Sequence, residues 1–486
     1  MIWLKRLCLF IGALLLLGVL TVGFWVGAKI VLYDQQDDAT HLTEKKRYLE
    51  SIGKLDRSTD RPNIVFILFD DLGYGDLGMT GSQAIKTPTI DKLASGGLTM
   101  TSFYSPAPVC TPSRAGYLTG RFPVRAGMPL VLFPSSSPIN NANRIFGVNN
   151  RFPAEEITLA DTLKASGYAT GMVGKWHLGD QSPSLPNDMG FDSFFGALYS
   201  NDMTPFALYR NKTVAVEAPA DQSRLNEWYG REAEQFISNN KEEPFFLYLA
   251  HNFPHIPLYV PDEDKRRSSG GLYGDVVEGL DDVVARVITS LKANGVYENT
   301  IVLITSDNGP WFQGSPGHDR GRKADTFEGG MHVPMVVHWP ARFKQGRSVS
   351  GLSMGMDWYP TLLDWLDIPL PTDRTIDGKS LTAMLEDGQG SPHDYLYYFD
   401  GENLRAVRDE RYKYHDEPRI PYAGGTTPVA ARIAKGPWLF DMMTDHNESY
   451  DISGNQPDKA SSMRAVLEAK RNEMLENPRG WLSSPP

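Results

Sequence analysis

The chain has 486 residues, 41% of them hydrophobic and 22% charged, which are the proportions of an ordinary globular protein. A soluble part of about 450 residues exceeds one typical domain and points to a large domain with a smaller companion. The formal charge of −11 excludes a nucleic-acid binder that works through a basic face, so an anionic partner must be met by a local cluster of cations.

The N-terminus carries Lys5 and Arg6 and then runs apolar over 7–28. About 20 apolar residues span a bilayer, and the positive pair stays on the cytoplasmic side. Residues 1–33 are therefore expected to be a single-pass membrane anchor, with the remainder on the periplasmic face of a bacterial inner membrane. A cleaved signal peptide is the competing reading, which would free the protein into the periplasm. It has a shorter core and an Ala-x-Ala-like site, and no such site is evident here. Residues 34–61 are polar and charged and read as a tether. Only two cysteines occur, Cys8 in the apolar run and Cys110. Cys110 thus has no exported disulfide partner, and core burial must stabilise the exported part.

Asn63–Phe69 is an apolar run ending in Asp70-Asp71, the pattern of a buried parallel strand that delivers carboxylates at its C-terminal end. The theme repeats. Residues 169–173 lead into Gly174-Lys175-Trp176-His177, 244–250 into 251–257, and 300–305 into Ser306-Asp307-Asn308-Gly309. Helical patterns at 157–166 and 276–294 lie between. The second places Val277, Leu280, Val284, Val287, Ile288 and Leu291 at near-helical spacing. Alternating strands and helices predict an α/β domain over 62–374, a mainly parallel sheet flanked by helices, with ligands at the carboxyl ends of its strands. A further strand at 331–340 and a helix at 357–366 follow. From residue 375 the texture changes to short strand-like runs at 394–399, 404–408, 412–414 and 437–441, then a helix at 458–475. Residues 375–486 read as a smaller subdomain of antiparallel sheet plus helix.

Asp70, Asp71, Asp307 and Asn308 are hard oxygen donors suited to Ca²⁺ or Mg²⁺. Zinc fits less well, because carboxylates outnumber the nearby histidines. Asp-Asp and Asp-Asn-Gly are ordinary turn sequences, but here both directly follow buried strands, where ligands gather. Lys175 and His177 alternate along an extended stretch, which puts both on one face and makes an anion site. His255 is held between two prolines that fix the backbone, a rigid setting for a proton-transfer group; His251 opens the same loop and competes with it. Lys323, in Gly-Arg-Lys-Ala-Asp-Thr-Phe-Glu-Gly-Gly, reads from its residues alone equally well as a solvated loop charge.

Residues 110–121 read Cys-Thr-Pro-Ser-Arg-Ala-Gly-Tyr-Leu-Thr-Gly-Arg. A free cysteine is most often a small buried hydrophobe. The pattern Cys-x-Pro-Ser-Arg-x-x-x-Leu-Thr-Gly-Arg decides otherwise, because it resembles the signature of the type I sulfatases. The resemblance runs from about Pro62 to the C-terminal region and is greatest with the arylsulfatase A and N-acetylgalactosamine-6-sulfatase branch. It implies an alkaline-phosphatase-like fold and hydrolysis of sulfate monoesters, aryl sulfates in assays and sulfated sugars in nature. It also implies that Cys110 is oxidised to formylglycine by a formylglycine-generating or anaerobic sulfatase-maturing enzyme. The hydrated aldehyde is then the nucleophile, and a sulfo-enzyme intermediate follows.

By the same resemblance Asp70, Asp71, Asp307 and Asn308 hold one divalent cation, generally calcium, which also contacts residue 110. Arg114 and Lys175 hold the hydrate and its charge, and His177 is the base for the elimination step. His255 and Lys323 lie near the departing ester oxygen, and Ser200 contacts the sulfate. Two rivals remain. Phosphoester and phosphonate hydrolases share the architecture. A non-catalytic binder of sulfated glycans would have lost one of Cys110, Arg114, Lys175, His177 or Lys323, and none is lost.

Overall fold

The computed structural model describes residues 2–33, 35–55, 61–145, 148–416 and 436–482. Asn63–Phe69 is buried at all seven positions. Successive side chains of a strand point to opposite faces, so Ile64, Phe66 and Leu68 enter one core while Val65, Ile67 and Phe69 enter another. Phe245–Ala250 divides in the same way, with Phe246 and Tyr248 on one side and Leu247 and Leu249 on the other. Burial on both faces is why these runs lack an apolar-polar alternation.

The main sheet has ten strands. Its centre is five parallel strands in the spatial order Thr300–Ser306, Asn63–Phe69, Phe245–Ala250, Ala169–Gly174 and Ser193–Gly196. Met335–His338 extends it antiparallel on one side, followed by Leu98–Met100 and Arg347–Val349. Leu208–Arg210 and Thr213–Val216 extend the other side, also antiparallel. Helices flank both faces, the longest of them, Gly271–Ala293, packing Val276, Val277, Leu280, Val284 and Leu291 against the sheet core. A separate four-stranded antiparallel sheet comprises Leu396–Asp400, Asn403–Arg408, Tyr412–His415 and Trp438–Asp441. Pro457–Glu476 packs Met463, Leu467 and Met474 onto it.

The expected tether is different. Within 34–61 lies a helix, Ala39–Ile52, whose Asp38 side chain caps the amides of Thr40 and His41. His41, Lys45, Tyr48 and Ile52 follow helical spacing and face the domain. The His41 ring stacks on Trp481 at 3.8 Å and meets Asp373 at 2.9 Å. Lys45 donates to the Glu156 carbonyl at 2.7 Å, the Tyr48 hydroxyl to the Pro369 carbonyl at 2.8 Å, and Ile52 is buried in the core. Anchors that are mostly polar do not show as an apolar stripe, which is the usual sign of a docked helix. The preceding helix, Ile2–Leu32, includes an apolar segment, Lys5–Ala28, whose most apolar stretch is not buried among the described residues.

A buried ionic network joins the two sheets. Glu328 accepts hydrogen bonds from Arg408, from Lys413 at 2.8 Å and from the Tyr104 hydroxyl at 2.5 Å. Glu448 faces His415 at 2.8 Å and Lys413 at 3.1 Å, and accepts from the Glu328 amide at 2.6 Å. Both carboxylates are almost fully buried, so removing one leaves cations without partners in a low dielectric. Glu328→Ala is expected to cost about 3–5 kcal/mol of stability, read from the urea midpoint. A loss below about 1 kcal/mol would show that water replaces the carboxylate and that the network does not tie the sheets together.

Candidate active site

The acidic residues, Lys175 and the histidines sit at the carboxyl ends of central strands or on the loops after them, while Cys110 and Arg114 come from a helix and Lys323 from a more distant loop. Asp70 and Asp71 follow Asn63–Phe69, and Asp71 takes a left-handed conformation, φ 66°, that is rare outside glycine. The turn is held by the Asp70 amide donating to the Phe253 carbonyl and the Leu72 amide donating to Ser306 Oγ. Asp307 and Asn308 follow the neighbouring strand, so the two pairs lie side by side. Asp307 Oδ1 accepts from the Asp71 amide at 3.3 Å, and Asn308 Nδ2 donates to Asp71 Oδ1 at 2.8 Å.

Cys110 is the first residue of a fully buried helix, Cys110–Thr119. Its Sγ lies 3.3 Å from Asp70 Oδ1 and 3.3 Å from Lys323 Nζ. One turn on, Arg114 donates through Nε to Asp307 Oδ2 at 2.9 Å and through Nη1 to the Lys175 carbonyl at 2.6 Å. Lys175 donates to Asp70 and, at 3.2 Å, to Ser200 Oγ. Lys323 lies 2.7 Å from Asp71 Oδ1. It belongs to this cluster and is not a solvated loop charge.

The histidines differ in what they do. The run Lys175-Trp176-His177 is not uniformly extended, because His177 has φ 63°. Its Nε2 lies 3.0 Å from the Leu132 carbonyl, which can only accept, so Nε2 carries the proton. Nδ1 is left as a buried acceptor with no partner among the described residues. His255 has Nδ1 2.5 Å from the Ile256 carbonyl, Nε2 3.7 Å from Asp71, and Ser200 Oγ at 3.4 Å. His251 instead accepts the Phe253 amide at 2.9 Å and packs edge-on against Tyr229, so it shapes the loop that presents His255.

Burial dominates the electrostatics. It pushes His251 down to about 3 and His177 well below the imidazole range, where Lys175 and Arg114 add to it. It also raises the Cys110 thiol, with Asp70 next in effect. Asp70 resists its burial through Lys175 above all and is held well below the carboxylate range. Asp307, buried and beside Asp70, is pushed up to about 7.

The donor set is three carboxylates and the Asn308 carbonyl, whose Oδ1 is buried without a partner among the described residues. An all-oxygen set with one unsatisfied acceptor fits a hard divalent cation. Ligand atoms of Asp70, Asp71, Cys110 and His255 also lie within 4.8 Å of one another.

The family model described as Sulfatase matches residues 62–368. The chain belongs to the sulfatase family. A second model, N-sulphoglucosamine sulphohydrolase, C-terminal, matches residues 321–416. This sulfatase is 35% identical over 461 residues to arylsulfatase A of Homo sapiens, covering 85% of this chain and 87% of that protein. It is 35% identical over 431 residues to N-acetylgalactosamine-6-sulfatase of Mus musculus, covering 81% and 82%. Among solved structures it is similar to one from work on glycosaminoglycan metabolism by Bacteroides thetaiotaomicron, with TM-score 0.76, 26% identity, and 85% and 100% of the two chains covered. As a sulfatase it is a sulfuric ester hydrolase with an alkaline-phosphatase-like fold, and the family generally uses formylglycine and a divalent metal.

Sequence reasoning located every member of this cluster but missed its supports. Thr111 Oγ1 donates to the His177 carbonyl and accepts the Leu132 amide, locking the roof above the helix start. Glu448 takes the Glu328 amide and offers its carbonyl to Arg320 at 2.6 Å, pinning the loop that carries Lys323. Thr111 occupies an unconstrained position of the signature and Glu448 lies in no recognisable pattern; only contacts between distant segments show what they do. If the oxygen set holds a cation, stripping with chelator should lower the melting temperature and abolish sulfatase activity, and Ca²⁺ should restore both. A metal-free protein with unchanged melting and turnover would rule the site out.

Proposed function

We propose that this sulfatase hydrolyses sulfate monoesters of carbohydrates, and aryl sulfates in assays, at the cluster around residue 110. The observation that carries the reading is the placement of Cys110 Sγ at a helix N-terminus, equidistant from a carboxylate of the oxygen set and from the Lys323 ammonium. Formylglycine made at this position by a maturation enzyme supplies, once hydrated, an oxygen nucleophile and an internal route for releasing sulfate. Asp70, Asp71, Asp307 and Asn308 would hold a calcium ion, which would supply positive charge for the sulfate oxygens.

The side chains then divide the work. Arg114, fixed by Asp307 and the Lys175 carbonyl, and Lys175, fixed by Asp70 and Ser200, hold positive charge toward residue 110. Ser200 and Lys175 orient the sulfate. Lys323 carries a raised pKa, because Asp71 outweighs the effect of its burial, so it remains an ammonium and stabilises the departing ester oxygen beside His255. His177 offers an unprotonated Nδ1 to receive the proton that must leave before sulfate is expelled. The name of the N-acetylgalactosamine-6-sulfatase relative supports a sugar substrate. The apolar stretch of the first helix, with Lys5 and Arg6 at its N-terminal end, supports a single-pass anchor with the catalytic part on the periplasmic face.

In Cys110→Ala, circular dichroism and melting are expected to stay native while turnover of nitrophenyl sulfate disappears; wild-type-like activity in that variant refutes the assignment. Mass spectrometry of the tryptic peptide should show the thiol converted to an aldehyde in active protein. For Lys323→Ala, kcat should fall about 10²–10³-fold, the loss typical of one transition-state donor, and unchanged kinetics would return Lys323 to a structural role.

A further inference from the structure

The first helix, Ile2–Leu32, carries Trp3 near its start and Trp25 near its end, and both rings are exposed. At 1.5 Å per residue they stand about 33 Å apart. That matches a hydrocarbon core of about 30 Å, whose two boundaries tryptophan favours. Trp25 therefore marks the level at which the chain leaves the bilayer. Little slack follows it. The Tyr33 hydroxyl donates to the Val148 carbonyl at 3.0 Å. Gln35 accepts from the Asn150 and Arg151 amides at 3.0 and 3.2 Å, and Asp37 pairs with the Arg151 guanidinium at 2.7 Å. Helical to Leu32 and extended beyond it, the chain from Trp25 to Gln35 reaches about 20 Å at most, which holds the catalytic domain at the headgroup layer.

The helix Pro138–Ile145 packs against the first helix. Residues 9–25 of the first helix are exposed and 26–28 are half-buried, so the contact falls on its last turns, level with the exit from the bilayer. The packed helix is inside out for a surface helix in water. Asn140 is buried, 2% exposed, and turns its Nδ2 to the Phe133 carbonyl at 3.4 Å, whereas Ile139 is 49% exposed. At 100° per residue Pro138, Ile139 and Ile145 share about one third of the circumference, and Asn140 and Asn143 lie outside it. One exposed isoleucine is ordinary. An isoleucine exposed at a membrane exit, on a helix that buries the neighbouring asparagine, points to a lipid neighbour. The charge agrees: no Asp or Glu occurs between Asp91 and Glu155, in a chain of net charge −11, so this stretch approaches anionic headgroups without repulsion from carboxylates of its own.

We propose that Pro138–Ile145 is a second membrane contact, an interfacial helix seated at the acyl–headgroup boundary of the bilayer that the first helix crosses. Such helices sit about 5–10 Å into that boundary. The inference rests on the single-pass anchor proposed above and goes beyond it. An anchor alone leaves the domain free to turn, and this helix fixes which side meets lipid. That side is the roof of the active site, because the same segment holds His177 through the Leu132 carbonyl and meets Asp180 through Ser135. The enzyme then works at the membrane surface and not at the end of a tether.

The test places full-length matured protein carrying Cys8→Ala in nanodiscs of phosphatidylethanolamine and phosphatidylglycerol that contain a lipid spin-labelled near the headgroup. Bimane is attached in turn at Ser136→Cys, beside the helix, at Trp25→Cys, and at Lys241→Cys, which is exposed at the ends of the strands opposite to the site. Quenching at 136 should lie closer to that at 25 than to that at 241, and Ile139→Asp should roughly halve it. Quenching at 136 closer to that at 241, with the label at 25 quenched, overturns the contact and leaves the anchor standing. Unchanged quenching at 136 in Ile139→Asp also overturns the contact, because the apolar face is then not what seats the helix. An unquenched label at 25 overturns the anchor reading itself, and the contact with it.

Discussion

The site depends on one electrostatic constraint: Asp70, Asp71 and Asp307 are buried together against Arg114, Lys175 and Lys323. Three carboxylates face three cations in a space with little water. No pair is independent, because Asp70 meets both Lys175 and Arg114, and Lys323 reaches both Asp71 and Cys110. Such an arrangement carries a large desolvation cost and is not there for stability. It is tolerated where preorganised charge serves a reaction, since dipoles and ions already in place need not reorganise when charge moves.

Holding that cluster requires rigidity from several directions, and the sheet provides it. Four adjacent parallel strands end at the same level, so their following residues converge without long loops. Cys110 and Arg114 come instead from the helix Cys110–Thr119, and Lys323 comes from a loop with no strand directly before it. Its position is secured by the Lys323 amide to the Pro310 carbonyl, the Ala324 amide to the Pro108 carbonyl, and the Glu448 carbonyl to Arg320. Through Glu448 and Glu328 the smaller sheet therefore braces the loop that carries Lys323, which no strand of the large sheet places directly.

The legibility of the sequence follows the same division. Asp70, Asp71, Asp307 and Asn308 were readable because a buried strand is a seven-residue apolar run and its end is unmistakable. Cys110 and Arg114 were readable because a motif fixes them. The docked helix Ala39–Ile52 was not, since His41, Lys45 and Tyr48 hold it by hydrogen bonds and stacking and not by an apolar stripe. The left-handed turn at His177 was also hidden: period-two alternation assumes an extended backbone, and a non-glycine residue at φ 63° gives no compositional signal. Glu448 was invisible because its partners, His415, Lys413 and Glu328, lie from 33 to 120 residues away along the chain and meet it only after folding.

The acidity of the whole chain bears on how substrate is selected. A net charge of −11 repels sulfate esters at long range, and screening over about 8 Å at physiological ionic strength confines the attraction of Arg114, Lys175 and Lys323 to the site itself. Capture is then decided at contact, by groups within hydrogen-bond reach. On the proposed reading those groups are Arg114, Lys175 and Lys323, whose charges meet the sulfate common to every substrate and so cannot by themselves tell one alcohol from another.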